Sequence, residues 1–423
     1  MKSLILLFLF SCITFAQNDS SYKKRVLESA EVDVLFSYYG QNGQNAAVTG
    51  GEGTEELTDA TSTIVVRLPM GEDGILTVDA GISAYTSASS SNVNPLDGNP
   101  DNPVSPFSAS SGASRQDVLS YVNPTYEHFS ENRNSIYTAN LYISSEYDYF
   151  SFGFGAGYSL LFNEKNTEIS IKGQVYLDKW NSQYPIELRG SFFDDRITGI
   201  GTYDPNFTAF ENETRNSYAL SLGISQILGE KIQGSVFMDV VSQNGLLSTP
   251  FQRVYFGDVN DFFINEFQLA DDVERLPDSR LKIPLGGRLN FYLNDTFVLR
   301  TYYRFYADDW GITSHTANLE VPIKLNDKFT IYPNYRYYTQ TAADYFYEKE
   351  DALSSFDFYT SDYDLSEFNA HQYGLGFKYR DIFTKAKVFF LGLKTIDLRF
   401  NTYNRNDGLD AYIVTLGTTF VSF

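Results

Sequence analysis

Ala411-Tyr-Ile-Val-Thr-Leu-Gly-Thr-Thr-Phe-Val-Ser-Phe423 closes the chain as one uncharged stretch with the composition of a β-strand. Apolar and β-branched residues occupy both faces from Tyr412 to Phe423, and no charge follows Asp410. Neither face suits bulk water, and an exposed strand of this kind pairs with other chains and aggregates. A closed barrel in lipid removes the difficulty, because every backbone N–H and C=O is paired around the ring and no edge remains. The expected fold class is therefore all-β, a single transmembrane antiparallel β-barrel whose last strand closes against its first.

The N-terminus fits a chain bound for that location. Met1-Lys2-Ser3, the apolar run Leu4 to Phe10, and Thr14-Phe15-Ala16 before Gln17 read as the charged, apolar and cleavage regions of a secretory signal peptide. The expected organisation is a cleaved signal over 1–16, a periplasmic segment over 17–29 and a barrel over 30–423, in the outer membrane of a Gram-negative bacterium. Cys12, the single cysteine, lies inside the signal after Leu9-Phe10-Ser11, a weak lipoprotein box with a better cleavage site four residues on. The chain after Ala16 thus has no thiol for a disulfide or a thiolate metal site. The full chain carries 32 basic against 53 acidic residues, a formal charge of −21, which makes nucleic acid an unsuitable partner. No later apolar run reaches the roughly 20 residues of a membrane helix, so a membrane has to be crossed by strands. An aromatic fraction of 16% suits the interfacial girdles of a barrel.

Period-two alternation recurs along the chain. Ala30 to Tyr39, for example, sets Val32, Val34, Phe36 and Tyr38 on one face against Asp33, Leu35, Ser37 and Tyr39. Such segments total sixteen, within a range of fourteen to eighteen. Their connections sort by length. Short turns at Pro69 to Gly74, Glu131 to Asn134, Asn163 to Asn166, Gly229 to Lys231, Asn294-Asp295, Asn326-Asp327 and Arg380 to Lys385 alternate with the set that holds every long loop. The long loops are Gln41 to Asp59, Ser89 to Gln116, Asn181 to Asn216, Asn244 to Arg280 and Thr341 to Glu367. Short periplasmic turns and long external loops are the rhythm of an outer-membrane barrel. Two places are ambiguous: Val388 to Arg399 fits one strand or two, and Asn181 to Ile200 has room for an extra hairpin around Ile186 to Phe193.

Several stretches carry candidate chemistry. In the Gly-rich first loop, Glu52, Glu55, Glu56 and Asp59 cluster carboxylates that suit a constriction or a hard cation, though their spacing matches no calcium-loop template. Ser111 to Asp117 is expected to fold back onto that loop, with Arg115 pairing Glu55 or Glu56. Acidic stretches over Asp258 to Asp278 and Asp344 to Glu367 read as solvated surface, with structural Ca2+ bridging as the alternative. Arg304, Lys324 and Arg336 sit mid-strand amid aromatics. A charge facing lipid at mid-bilayer costs about 2–4 kcal/mol, so these three are expected to face the lumen and set selectivity or brace the wall. The only histidines are His128, His315 and His371; the last two fall near the external rim by Asp308 and Asp309, without a catalytic motif. No cofactor and no enzymatic activity are expected.

Glu31-Val-Asp-Val-Leu-Phe-Ser-Tyr-Tyr39, Ala47-Val-Thr-Gly-Gly51 with Gly53-Thr-Glu-Glu-Leu57, Ser83-Ala-Tyr-Thr-Ser-Ala-Ser-Ser-Ser-Asn92 and Ser111-Gly-Ala-Ser-Arg-Gln-Asp117 resemble a family of Gram-negative secreted proteins of unknown function. The resemblance implies a barrel over most of the chain. It also implies gene neighbours that include a short lipoprotein, a thioredoxin-like protein and a flavin transferase, and hence an envelope redox partner; it assigns no active-site residue. A final strand ending on Phe423 resembles the signal read by barrel-insertion machinery, an expected partner together with outer-membrane lipid. Two functions follow as expectations: a channel or transporter for small solutes or ions, or a non-conducting barrel that scaffolds an envelope complex.

Overall fold

A computed structural model describes residues 24–422 apart from 87–115, 191, 193 and 206. The signal segment, Arg115 and Phe423 therefore lie outside the described residues. The chain forms a closed antiparallel barrel of sixteen strands. In chain order these are β1 (Glu31–Asn42), β2 (Leu57–Met70), β3 (Gly74–Thr86), β4 (Gln116–Phe129), β5 (Ser135–Ser145), β6 (Tyr149–Phe162), β7 (Thr167–Trp180) and β8 (Thr214–Gly229). They continue as β9 (Ile232–Gly245), β10 (Ser279–Tyr292), β11 (Val298–Asp308), β12 (Thr313–Glu320), β13 (Phe329–Gln340), β14 (Phe368–Arg380), β15 (Leu391–Arg405) and β16 (Asp410–Ser422).

Each strand pairs with its neighbours in sequence, and β16 pairs with β1 in unbroken register from Asn42↔Asp410 to Glu31↔Val421. At this seam Gly40 has no side chain where the Tyr412 ring lies: a Cβ there would come within 2.6 Å of it. Tyr412 then packs on Tyr38 across the seam, ring centroids 6.0 Å apart. Glu31 locks the other end of the join. It takes Lys394 of β15 at 2.6 Å and Arg67 of β2 at 3.4 Å, one from each side.

Alternation fixes which residues face in. Large apolar side chains exposed in the ring, such as Phe36, Ile64, Leu141, Leu222, Leu375 and Phe400, share the outward parity of their strands. A continuous apolar belt of this kind is what a hydrocarbon layer covers. The inward parity is polar. With strands ~4.8 Å apart and tilted by ~40°, a sixteen-strand ring measures roughly 30 Å across, too wide for wall side chains alone to fill. No helix among the described residues is long and apolar enough to cross a membrane.

The connections sort by length as expected, all the long ones leaving one end of the ring. One ambiguity resolves and one expectation needs correction. Among the described residues around Ile186, no hairpin forms: Ile186–Leu188 is one 3-10 turn behind Pro185, and Leu188 is buried in a loop cluster. The nearby strand Ile197–Gly199 pairs instead with Phe262–Ile264, in another loop. Lys324 is not mid-strand. Pro322 lacks the N–H to continue the ladder, so β12 stops at Glu320, and Ile323–Lys324 is a separate two-residue pairing beside the turn. The ambiguity over Val388 to Arg399 resolves as one long strand, β15, preceded by a two-residue hairpin arm at Lys387–Val388.

Adjacent faces give the fold a direct test. Leu141→Arg on the outward face of β5 is expected to cost about 2–4 kcal/mol in urea titrations of folding into phospholipid vesicles. Thr138→Arg, inward and paired with Glu127 of β4, is expected to cost under about 1 kcal/mol. Equal costs would contradict the assignment of faces.

Candidate functional site in the lumen and across its mouth

The lumen wall is built differently on its two sides. Over β11 to β15 it is braced by charge. Arg300 and Arg399 each reach Glu320 at 2.9 Å, Arg399 also holds Asp397 at 3.0 Å, and Lys378 approaches Asp397 at 3.6 Å. Arg399 extends from β15 past β14 and β13 to reach β12. Gly376 of β14 leaves room for it, since a Cβ there would sit 3.3 Å from the arginine stem. Over β3 to β7 the wall is aromatic. Tyr121 stacks on Tyr142, which meets Tyr176 edge-on with centroids 5.6 Å apart. Gly81 and Gly153 carry these rings flat against the strands; a Cβ at either would lie 2.4 or 2.6 Å from a ring. The Tyr121 hydroxyl donates to Asp79 at 3.0 Å.

Arg304 and Arg336 both face inward. Arg304 is half-buried and its Nε has no hydrogen-bond partner. Arg336 is exposed although it points into the ring, as are Arg288 and Lys172, so among the described residues the lumen is open at their levels. Arg288 lies over the rings of Phe237 and Tyr302, 5.6 Å from each. Lys324, by contrast, pairs with Asp327 of the adjoining turn at 2.9 Å, at the short-turn end of the barrel.

The first-loop carboxylates do not converge. Glu52 pairs with Lys349 at 2.9 Å. Glu55 tucks beneath its own loop, accepting the Asn45 N–H at 3.1 Å; Gly43 permits this, and burial raises the Glu55 carboxyl above its usual range. Glu56 is exposed. Asp59 lies in β2 and accepts the Thr61 and Ser83 hydroxyls, each at 2.6 Å. Among the described residues no group of three or more His, Cys, Asp or Glu side chains is placed to hold a metal ion, in the first loop or in the acidic ones. The rim pairing of histidine with aspartate does not form either. His315 and His371 face outward, their Nδ1 atoms against the hydroxyls of Tyr303 and Tyr335 at 2.7 and 2.9 Å. Asp308 faces inward, held by Arg280 at 2.5 Å. His128 stacks on the outward-facing Tyr126 at the other end of the barrel.

The long loops hold the three clusters of buried apolar side chains found among the described residues: one around Ile264, one around Val273 and one around Val254. At their centre Arg253 and Glu187, both wholly buried, meet at 2.6 and 3.2 Å. Arg253 also donates to the Val48 carbonyl at 3.3 Å, and its guanidinium lies 5.3 Å from the Phe267 ring. Gly50, at φ 78°, turns the first loop against the Tyr255 ring, where a Cβ would come within 2.5 Å. The first loop leaves the ring between β1 and β2, and the loop bearing Arg253 leaves between β9 and β10, halfway round. Their meeting means that the loop layer bridges the mouth. Arg405 ties the layer to the rim, holding Asp364 at 2.5 Å with its guanidinium 3.8 Å over Phe368.

Glu274 is buried in this layer, accepting the Thr249 N–H at 2.7 Å and the Thr360 hydroxyl at 2.5 Å. Burial, reinforced by the charge of Asp362, pushes its carboxyl up to about 8, and burial pushes Asp271 up to about 6. Nothing in the sequence marked Arg253 or Glu187, and the expectation that Asp258 to Asp278 is solvated surface needs correction at Asp271, Asp272 and Glu274, which the loop clusters bury. The one signal was an arginine directly before the apolar run Val254-Tyr255-Phe256 in an otherwise acidic loop.

Two outcomes test the layer. Arg253→Ala, which strands the Glu187 charge in a dry site, is expected to destabilise the loops by about 3–5 kcal/mol. Limited proteolysis should then cut within 181–278 while the heat-modifiable gel mobility of the barrel is kept; loops as resistant as wild type would refute the role. The Glu274 and Asp271 carboxyls are raised in the folded state, so their stabilisation is complete below the unfolded carboxylate range and is lost as pH rises through about 6 and then about 8. Hydrogen exchange at the Thr249 amide, corrected for intrinsic rate, is therefore expected to show less protection at pH 8.5 than at pH 5, with Glu274→Gln flattening the upper part of that change.

A bacterial polysaccharide outer membrane secretin superposes with a TM-score of 0.43 at 11% identity, over 94% of this chain and 99% of the other. A BenF-like porin from Pseudomonas fluorescens Pf-5 gives 0.41 at 8% identity, over 93% and 99%. OccK1 (OpdK) of Pseudomonas aeruginosa gives 0.39 at 8% identity, again over 93% and 99%. No curated protein matches the chain. Residues 4–417 match the family described as "Protein of unknown function (DUF3570)", and the chain belongs to that family.

Proposed function

We propose that the protein is an outer-membrane channel for small polar solutes, with a mouth narrowed by its loop layer. The observation that carries this reading is the solvent exposure of Arg336, Arg288 and Lys172 on the inward face of a closed ring. Charged side chains keep their hydration only where water fills the space they enter. The apolar outward belt supports placement in lipid, and the inward polar wall supports passage of water-soluble cargo rather than hydrocarbons. No histidine joins a carboxylate at the rim, so nothing in that constellation favours catalysis over conduction.

A second reading draws on a different observation. The first loop and the β9–β10 loop meet across the mouth. A barrel sealed there would serve as a scaffold, presenting its loop layer or holding an envelope lipoprotein or redox partner.

Planar-bilayer recording separates the two. The channel reading expects discrete open steps from the refolded protein, and Arg253→Ala, by loosening the bridge, is expected to raise the open fraction. Silence from both proteins, folded by gel mobility and circular dichroism, would leave the scaffold.

A further inference from the structure

The inward charges that lack an ion-pair partner are not scattered around the ring. The cations Lys282, Arg288, Arg304, Arg336 and Arg380 lie on β10, β11, β13 and β14. The anions Asp59, Asp79, Asp117 and Glu127 lie on β2, β3 and β4. Among the described residues, Lys172 and Glu168 on β7 and Asp239 on β9 complete the set of unpaired inward charges, and they sit between the two arcs.

In a ring of sixteen, β3 stands opposite β11. Asp79 is the sixth residue from the short-turn end of β3, and Arg304 the seventh from the same end of β11. The two therefore confront each other across the lumen at mid-height. Along the basic arc the local carboxylates Asp308, Glu320 and Asp397 are already taken up by Arg280, Arg300, Arg399 and Lys378. The positive charge left over is uncompensated on its own wall. The acidic arc has one inward cation, Arg67, and Glu31 and Asp33 occupy it.

We propose that the lumen carries a transverse field from a cationic wall on β10–β14 to an anionic wall on β2–β4, and that it favours small zwitterionic solutes. Such a solute aligns its dipole with the field, carboxylate toward Arg304 and Arg336 and ammonium toward Asp79, and its energy falls by that alignment. A neutral solute gains nothing, and a simple anion is drawn by one wall and repelled by the other. Low-dielectric walls focus such a field, and salt screens it. The inference rests on the channel reading.

Liposome swelling at low ionic strength tests it with serine as zwitterion, erythritol as neutral solute of similar size and glycerate as anion. Serine is expected to enter roughly threefold or more faster than erythritol, with the advantage shrinking as salt is added. Asp79→Asn keeps an acceptor for Tyr121. It and Arg304→Gln are each expected to lower serine entry toward the erythritol rate while leaving erythritol unchanged; Arg336→Gln serves the basic wall should Arg304→Gln fail to fold. Serine no faster than erythritol, glycerate faster than serine, or variants that leave the ratio intact would each overturn the proposal while sparing the channel reading. Entry of no solute at all would overturn both.

Discussion

Closure of the hydrogen-bond ring is the constraint on which the rest of the structure depends. In hydrocarbon an unpaired backbone N–H or C=O costs several kcal/mol, so a sheet crossing lipid cannot keep an edge. The β16–β1 pairing removes the last edge, and its details serve that end. Gly40 admits the Tyr412 ring, Tyr38 packs beside it, and Glu31 is gripped from both sides by Arg67 and Lys394. Once the ring is closed, strand number sets its width, and the width leaves an interior too large for a conventional apolar core.

The protein resolves that by putting its packing elsewhere. Buried apolar side chains gather in the long loops, around Ile264, Val254 and Val273, and the ring interior is left to polar groups. A buried Arg253–Glu187 pair at the centre of the loops is costly to desolvate and is tolerated because each guanidinium nitrogen finds a fixed partner. Its contribution is placement: three loops from separate parts of the ring meet at one arginine. The braces among Arg300, Glu320, Arg399 and Asp397 do similar work lower down, where no apolar packing holds the strands apart.

Much of this architecture was legible in the sequence because the barrel obeys local rules. Alternation in segments such as Ala30 to Tyr39 marks strand and face together, and the sorting of connections by length gives the topology. The terminal run from Tyr412 closes the ring as its composition required. What escaped is set by distance in the chain. Arg399 reaches Glu320 only because two intervening strands curve to bring them together, and Glu187 meets Arg253 only when two loops fold as a unit. Lys324 was misplaced because one proline shortened a strand that alternation alone would have continued. The four first-loop carboxylates looked like a cluster in one dimension, yet Glu52, Glu55 and Asp59 turn to different partners and Glu56 to solvent. His315 and His371 looked close to Asp308 by position along the chain, but period-two alternation puts them on opposite sides of the wall.

The bridge over the mouth also depends on the ring beneath it. The Val48–Arg253 bond joins residues 205 apart in sequence, so its loop-closure entropy is large unless the strands between have already paired. Those strands pair locally, neighbour with neighbour, and can zip in turn. The bond across the mouth is therefore least costly to close once the ring beneath it has formed.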